Sequence, residues 1–309
     1  MIVKLKPLSL FKGSTLPRSD TIFGGICWGL SILYSENLLV EVLQSFRDEK
    51  PPFLISSAFP WKRDTYFLPK PLTGSIDPGN SPEEIKKAKA LKKIQYLSSD
   101  LFNRLINGEP YEKIYGNIKE EDYLKKLKFE DIPHNTINRL SDNSEHIFYS
   151  QEGFVQDGGI YFFINIFKES LERKLTGAIN WLCERGIGGD SSTGKGHFTA
   201  EFIDKEIIKE PENPDRAINL SLLYLNKEDK TLMKSEKEKC SYEPVKRKGR
   251  IESAYSPSTD IWKKTVLMLK EGSILPVKEG FYGENVIVKD LNYKVWQYGY
   301  GYMVKGALS

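Results

Sequence analysis

One loop, Arg185 to Phe198, reading RGIGGDSSTGKGHF, constrains this chain more than any other stretch. Glycine stands at 186, 188, 189, 194 and 196, with Asp190, Ser191, Ser192, Thr193 and Lys195 between. Before the loop, Leu171, Leu175, Ala178, Ile179 and Leu182 recur at helical spacing. After it, Phe198, Ala200 and Phe202 alternate as in a strand. The chain must therefore pass from helix to loop to strand. Glycine lets another backbone approach closely, and small hydroxyls, N–H groups and a lysine suit phosphate. A plain turn capped by Gly186 would need one or two glycines, so the loop is read as an anion cradle.

Two familiar phosphate motifs fail here. Gly189 to Lys195 fits G-x-x-x-x-G-K, but Gly196 follows where a Walker loop needs Ser or Thr for magnesium. A Walker loop also runs from strand to helix, which aims the helix N-terminus at the phosphates. The dinucleotide pattern G-x-G-x-x-G fails because Ser191 takes the last position. An ATPase or dinucleotide-binding reading is set aside.

With 309 residues, two domains are expected. A net charge of +3 does not by itself predict nucleic-acid binding, so clustering must carry that argument. Cys27, Cys183 and Cys240 are odd in number and far apart, which fits a reducing cytoplasm rather than a disulfide frame or zinc site. No signal peptide is recognised, and the apolar run Ile22 to Tyr34 is too short for a bilayer. His134, His146 and His197 are the only histidines, none at metal-ligand spacing, so no metal or cofactor is expected. His134 or His197 could serve a metal-free ribonuclease as acid or base, although no convincing acid–base pair is visible.

Residues 2–10 read as a strand, with Ser19-Asp20 as the cap of a helix carrying Ile22, Ile26, Leu30 and Leu33. A further helical stretch, Asn37 to Phe46, precedes a strand from Phe53 to Phe59. Residues 60–133 read as a largely helical insertion. Ser81-Pro82-Glu83-Glu84 opens a lysine-rich helix there, and Glu120 to Leu127 suggests another. The polar stretch HNTINRLSDNSE, between strand signals, suggests a projecting hairpin within residues 134–167. The order strand, helix, strand, insertion, strand, helix, strand is the βαββαβ of a ferredoxin-like, RNA-recognition-like unit over residues 1–208. Residues 209–309 are β-dominated and read as a degenerate second copy. They include the basic run Lys246, Arg247, Lys248 and Arg250, flanked by Tyr242 and Tyr255, a composition suited to RNA. The fold class is α+β.

These features match a known family. The glycine loop and the first βαββαβ half resemble the RAMP superfamily of CRISPR proteins. A more specific combination is Ser19-Asp20-Thr21, PPFLISSAFPW leading to FLPKP, His134-Asn135, Asn138-Arg139, Lys248-Gly249, Glu271-Gly272-Ser273 and Tyr298-Gly299-Tyr300. Together they are similar to the fourth subunit of the Csm complex, the type III-A effector. The resemblance implies a non-catalytic subunit that holds the repeat-derived 5′ tag of the crRNA and docks the large polymerase-like subunit. It would also touch the backbone subunit that cleaves target RNA. The RNA contacts expected on this basis are Arg185, Gly186, Gly188, Gly189, Ser191, Ser192, Gly194, Lys195 and Gly196 in the loop; Lys12 and Ser14; His134, Asn135 and Arg139; Trp61, Lys62 and Arg63; and Lys246, Arg247, Lys248 and Arg250.

Overall fold

A computed structural model describes residues 1–13, 15–73, 89, 91–116, 118–124, 129–153, 155, 157–251, 261–291 and 293–308. In chain order its strands are β1 Ile2–Pro7, β2 Phe11–Lys12, β3 Phe53–Ile55, β4 Phe59–Lys62, β5 Thr65–Pro69, β6 Tyr96–Ser98, β7 Tyr123–Leu124, β8 Phe129–Ile137, β9 Ser144–Gly153, β10 Gly158–Ile166, β11 Phe198–Ile203, β12 Arg216–Asn219, β13 Pro244–Arg247, β14 Val266–Leu269, β15 Ile274–Pro276, β16 Val286–Asp290, β17 Lys294–Gln297 and β18 Met303–Gly306. The α-helices are α1 Ser19–Leu33, α2 Glu36–Arg47, α3 Ser99–Ile106, α4 Tyr111–Gly116, α5 Glu172–Arg185 and α6 Lys227–Ser235. The architecture is mixed α+β with antiparallel sheets.

The main sheet runs β11-β1-β10-β4-β5-β6-β7, with β3 also on β10. The hydrophobic β1 lies between β10 and β11, with Leu5 opposite Ile160 on one side and Ala200 on the other. Helices α1 and α5 pack on each other at unusually short range, because glycines remove the side chains between them. A Cβ on Gly25 would sit 2.4 Å from a Leu182 methyl, and one on Gly29 would sit 2.8 Å from the Ala178 carbonyl. Ile22, Ile26 and Leu30 are buried as the periodicity predicts, whereas Leu33 is exposed at the helix end.

Ser19 does not cap α1. It is already helical, and no side chain caps the helix at Arg18. Ser19 is buried instead. Its Oγ accepts from the Leu222 N–H at 2.9 Å, and its own N–H donates to Ser57 Oγ at 3.0 Å. A hydroxyl held by the Leu222 N–H is not free to fold back on its own helix.

The region expected to be a helical insertion is mixed where it is described, with helices α3 and α4 beside short strands. β4 and β5 form a tight hairpin, and β6 and β7 extend the same sheet. The expected lysine-rich helix falls mostly outside the described residues; its end, at Tyr96, is strand β6. Of Glu120 to Leu127, the described part is one 3-10 turn followed by β7.

Among its described residues, the second part of the chain carries a three-stranded sheet, β15-β12-β18, two two-stranded sheets and the α-helix α6. The largest buried cluster does not stop at residue 208; Ile218, Leu220, Ile274, Tyr298, Tyr300 and Tyr302 belong to it. Tyr298 packs on Phe23 at 4.9 Å between ring centres, and its hydroxyl accepts from the Ile55 N–H at 3.1 Å. Tyr300 donates to the Phe46 carbonyl at 2.7 Å. The alternating Tyr-Gly tail is therefore core. Its glycines admit neighbouring backbone: a Cβ on Gly299 would meet the Glu284 carbonyl at 2.2 Å.

Candidate nucleic-acid interface

The glycine loop has a buried stem and an exposed crown. Gly186 ends α5 with φ +101°, a conformation open to glycine and poor for any other residue. The Ile187 N–H donates to the Gly196 carbonyl at 2.8 Å, closing the stem. A Cβ on Gly196 would lie 2.3 Å from the Ile187 carbonyl. Above the stem, residues 188–190 and 192–194 are exposed. Ser191–Thr193 form a 3-10 turn, with the Thr193 hydroxyl bonded to the Asp190 carbonyl at 2.8 Å. A Cβ on Gly194 would meet nothing within 4 Å. The stem glycines are thus demanded by packing, while Gly194 is demanded only by its φ of +86°.

Strand β2 carries Lys12 beside this crown. Lys12 bridges Gly189 through the backbone and pairs with Asp190 at 2.5 Å. β2 also pairs with β9, which with β8 forms a long hairpin. The stretch HNTINRLSDNSE makes the outer half of that hairpin and its turn. The Asn138 N–H donates to the Asn143 carbonyl at 2.9 Å, and the Leu140 N–H donates to the Asn138 side chain at 2.9 Å. Leu140 at the tip is 99% exposed, and Ile137, Ile147, Phe148 and Tyr149 are also exposed on the arm. At the base, Phe11 packs edge-on against Phe129 at 5.7 Å and near Phe198 at 6.3 Å, which ties the arm to the strand after the loop.

The base also holds a buried carboxylate. Glu152 on β9 has a side chain only 1% exposed. Lys195 donates to one oxygen at 2.5 Å, and the Ser150 hydroxyl donates to the other at 2.9 Å. His134 Nε2 lies 2.7 Å from Ser150 Oγ and 3.3 Å from Glu152. Because Ser150 gives its single hydrogen to Glu152, His134 is assigned as donor through Nε2. Burial alone would push the Glu152 pKa up. The hydrogen bonds from Lys195 and Ser150 and the Lys195 charge outweigh it, and His134 adds to them, so the carboxyl lies below its ordinary range.

On the other side of the loop lies a cleft of about 540 Å3. Its walls are Gly186 to Gly189 and Ser191, the Trp181–Arg185 end of α5, the first turns of α1 with Trp28, and Arg247 to Arg250. The basic run thus meets the glycine loop although some 50 positions separate them. Arg247 forks onto Asp20 at 2.9 and 3.0 Å, and Gln297 donates to the same carboxylate at 3.3 Å. Lys263 is half-buried there; desolvation lowers its pKa, Asp20 opposes that, and Arg247 adds to it. Lys248 and Arg250 stand over the Trp262 ring at 5.0 and 4.6 Å, and Arg185 over Trp181 at 5.3 Å.

Most of the expected contacts converge at this end of the molecule. Lys62 and Arg63 sit at the β4–β5 turn, at the sheet end where β1 stops and β11 starts, and the Arg63 N–H donates to the Asp157 carbonyl at 2.9 Å. Asn135 and Arg139 are exposed on the hairpin. Three expectations change. Trp61 is no stacking platform: it is 8% exposed, donates to the Ile160 carbonyl at 3.2 Å, and has the Lys4 ammonium 4.0 Å above its ring. Lys195 is not a solvent-facing cation, because the buried Glu152 holds it. Lys246 is exposed, but strand alternation turns it away from the cleft that Arg247 lines. Ser14 and Tyr255 lie outside the described residues. Trp28, Trp181, Lys263 and Glu152 were missed; the Trp181–Arg185 spacing of four on one helix was the only local signal for any of them.

The fold has close counterparts. A chain of the crystal structure of a Csm1-Csm4 cassette in complex with cA4 superposes with TM-score 0.65, 24% identity, and coverage of 100% of this chain and 98% of that one. A chain of a Csm3-Csm4 subcomplex in the type III-A CRISPR-Cas interference complex gives TM-score 0.63 at 18% identity, covering 98% of each. These likenesses show that those chains share this fold, consistent with the RAMP type. In sequence, the family model for the CRISPR Csm4 C-terminal domain matches residues 212–305. The CRISPR system Cms protein Csm4 of Thermococcus onnurineus is 31% identical over 213 residues, covering 66% of this chain and 68% of the relative. Its namesake in Methanocaldococcus jannaschii is 26% identical, covering 92% of this chain and 84% of the relative. The protein is a RAMP-type subunit of a type III CRISPR effector. Within that class, the chain belongs to the Csm4 family. Among the described residues, no helix is long and apolar enough to cross a membrane.

Proposed function

We propose that this chain is the crRNA-binding subunit that holds the repeat-derived 5′ tag, working as a scaffold rather than a catalyst in the cytoplasm. One observation carries the reading. The glycine loop and the basic run come from distant parts of the sequence, yet they line one cationic cleft, and the projecting hairpin is tied to the other side of the same loop through β2 and the Lys195–Glu152 pair. Phosphate contacts would come from Lys12, Arg185, Lys248, Arg250, Lys62 and Arg63, and from crown N–H groups. Residues 1–208 would act as one ferredoxin-like unit, consistent with the order β11-β1-β10-β3 and the α1–α5 pair, and residues 209–309 as a degenerate second unit. The relatives' assemblies with Csm1 and Csm3 support docking of this chain onto a large polymerase-like subunit and onto the target-cleaving backbone subunit.

The test is cross-linking. A tag-bearing RNA with photoreactive uridine in the tag should attach to peptides from 186–196 and 246–250. Attachment at neither segment would refute the site. The alternative, a metal-independent crRNA-processing endoribonuclease, would show as site-specific cuts in repeat RNA without metal, abolished by His134→Ala or His197→Ala.

A further inference from the structure

We propose that Glu152 is a positioning residue, which holds the Lys195 ammonium away from the RNA and keeps the crown of the glycine loop in register with the base of the hairpin. The inference rests on the RNA-binding reading above. Register pairing sets Glu152 opposite Lys12 across β2 and β9. Each of these neighbours grips one end of the crown: Lys12 takes Asp190, where it begins, and Glu152 takes Lys195, where it ends. The two grips differ in kind. Lys12 and Asp190 are 34% and 44% exposed, and a pair that open to water fixes little. Glu152 is buried, and Lys195 and Ser150 complete its bonding from the loop and from β9 itself, with His134 approaching from β8. A buried ion pair of this kind contributes little net stability against a neutral pair of similar shape, but it specifies one geometry. A lysine so occupied adds no cation to the RNA surface.

The consequence separates Lys195 from every other basic residue at the site. A phosphate-contacting lysine contributes to the salt dependence of binding, by about 0.7 in the log–log slope for single-stranded RNA. A lysine neutralised by Glu152 contributes nothing to that slope and acts only through the shape of the loop.

The test uses the full chain and the double variant Glu152→Gln/Lys195→Met, which keeps both the net charge and the approximate volume and so should fold. In the free protein, hydrogen exchange should speed up in residues 186–196 and in the basal residues of β8 and β9, while the main sheet keeps its protection. Tag-RNA affinity should fall about tenfold at every salt concentration, equivalent to ~1.4 kcal/mol, with the slope unchanged. Unchanged exchange in either segment overturns the proposal. So does a slope lower by about 0.7, which would make Lys195 a direct phosphate contact. Should the wild-type chain bind no tag RNA, the functional reading fails on its own, and the exchange data still judge the tether.

Discussion

Three loop glycines should respond to alanine in a fixed order: Gly189→Ala least, Gly194→Ala next, Gly196→Ala most. Gly189 has no positive φ, and an added methyl would meet only the flexible Lys12 chain at 3.4 Å. Its cost should be within about 0.5 kcal/mol, as for an ordinary surface change. Gly194 has open space but φ +86°, so alanine would bear strain of roughly 1–2 kcal/mol. Gly196 combines φ +70° with a backbone carbonyl 2.3 Å from the new Cβ. The Ile187 carbonyl cannot retreat without disturbing the 2.8 Å bond that closes the stem. Strain, overpacking of about 1–3 kcal/mol and a weakened hydrogen bond of about 1 kcal/mol add to roughly 3–6 kcal/mol. With an unfolding entropy of ~2.1 cal/mol/K per residue, 1 kcal/mol is worth about 1.5 °C in a chain this long. The expected drops in Tm are therefore about 1 °C or less, about 1.5–3 °C and about 5–9 °C. Thermal melts followed by circular dichroism give the series. Equal Tm for Gly194→Ala and Gly196→Ala would refute the division into stem and crown.

Other expected outcomes follow from single contacts. Trp61→Ala should destabilise the fold by about 3–5 kcal/mol and leave the salt slope of RNA binding untouched, measured by melts and by titration at several salt concentrations. Asp20→Asn removes the charge that neutralises Arg247 beside Lys263 in the cleft. RNA binding should then depend more steeply on salt, by up to about 0.7 in slope, and an unchanged slope would exclude Arg247 from the RNA path. Glu152 has a folded-state pKa below its unfolded value, so its stabilisation is full above the unfolded value, roughly pH 4.3, and is lost as pH falls through the lower folded value. Melts of Glu152→Gln should accordingly show a shallower acid limb than the wild type; parallel limbs would mean that Glu152 does not titrate with folding.

Much of this was legible where the signal is local. Helix α5 and its Gly186 stop follow from five apolar positions and one glycine, and α2 from an amphipathic stretch closed by two prolines. The hairpin showed itself as a polar stretch between β-branched runs. What escaped is what depends on distant partners. Strands β5, β6 and β7 are two to five residues long, too short for a periodicity to register, and a lysine-rich helical pattern overshadowed them. Trp61 looks like an exposed aromatic among cations until β1 and β10 close over it. Lys195 looks like a free cation because Glu152, 43 positions earlier, has no local pattern marking it as buried. The meeting of the basic run with the loop depends on how β13 is carried over α1, which no window of sequence contains.

The tyrosines at 298 and 300 set a timetable for the chain's synthesis. Phe23, Phe46 and Phe53 leave the ribosome early, but the rings that finish covering them emerge some 245 positions after Phe53. At ~5–20 residues per second that interval is roughly 10–50 s. Throughout it the nascent chain carries an incomplete aromatic cluster, and its largest core closes only when Tyr298 and Tyr300 have emerged. A chain that stops before Tyr298 would therefore deprive the first-made part of its lid, and chaperone capture should be concentrated on species that have not yet made Tyr298 and Tyr300.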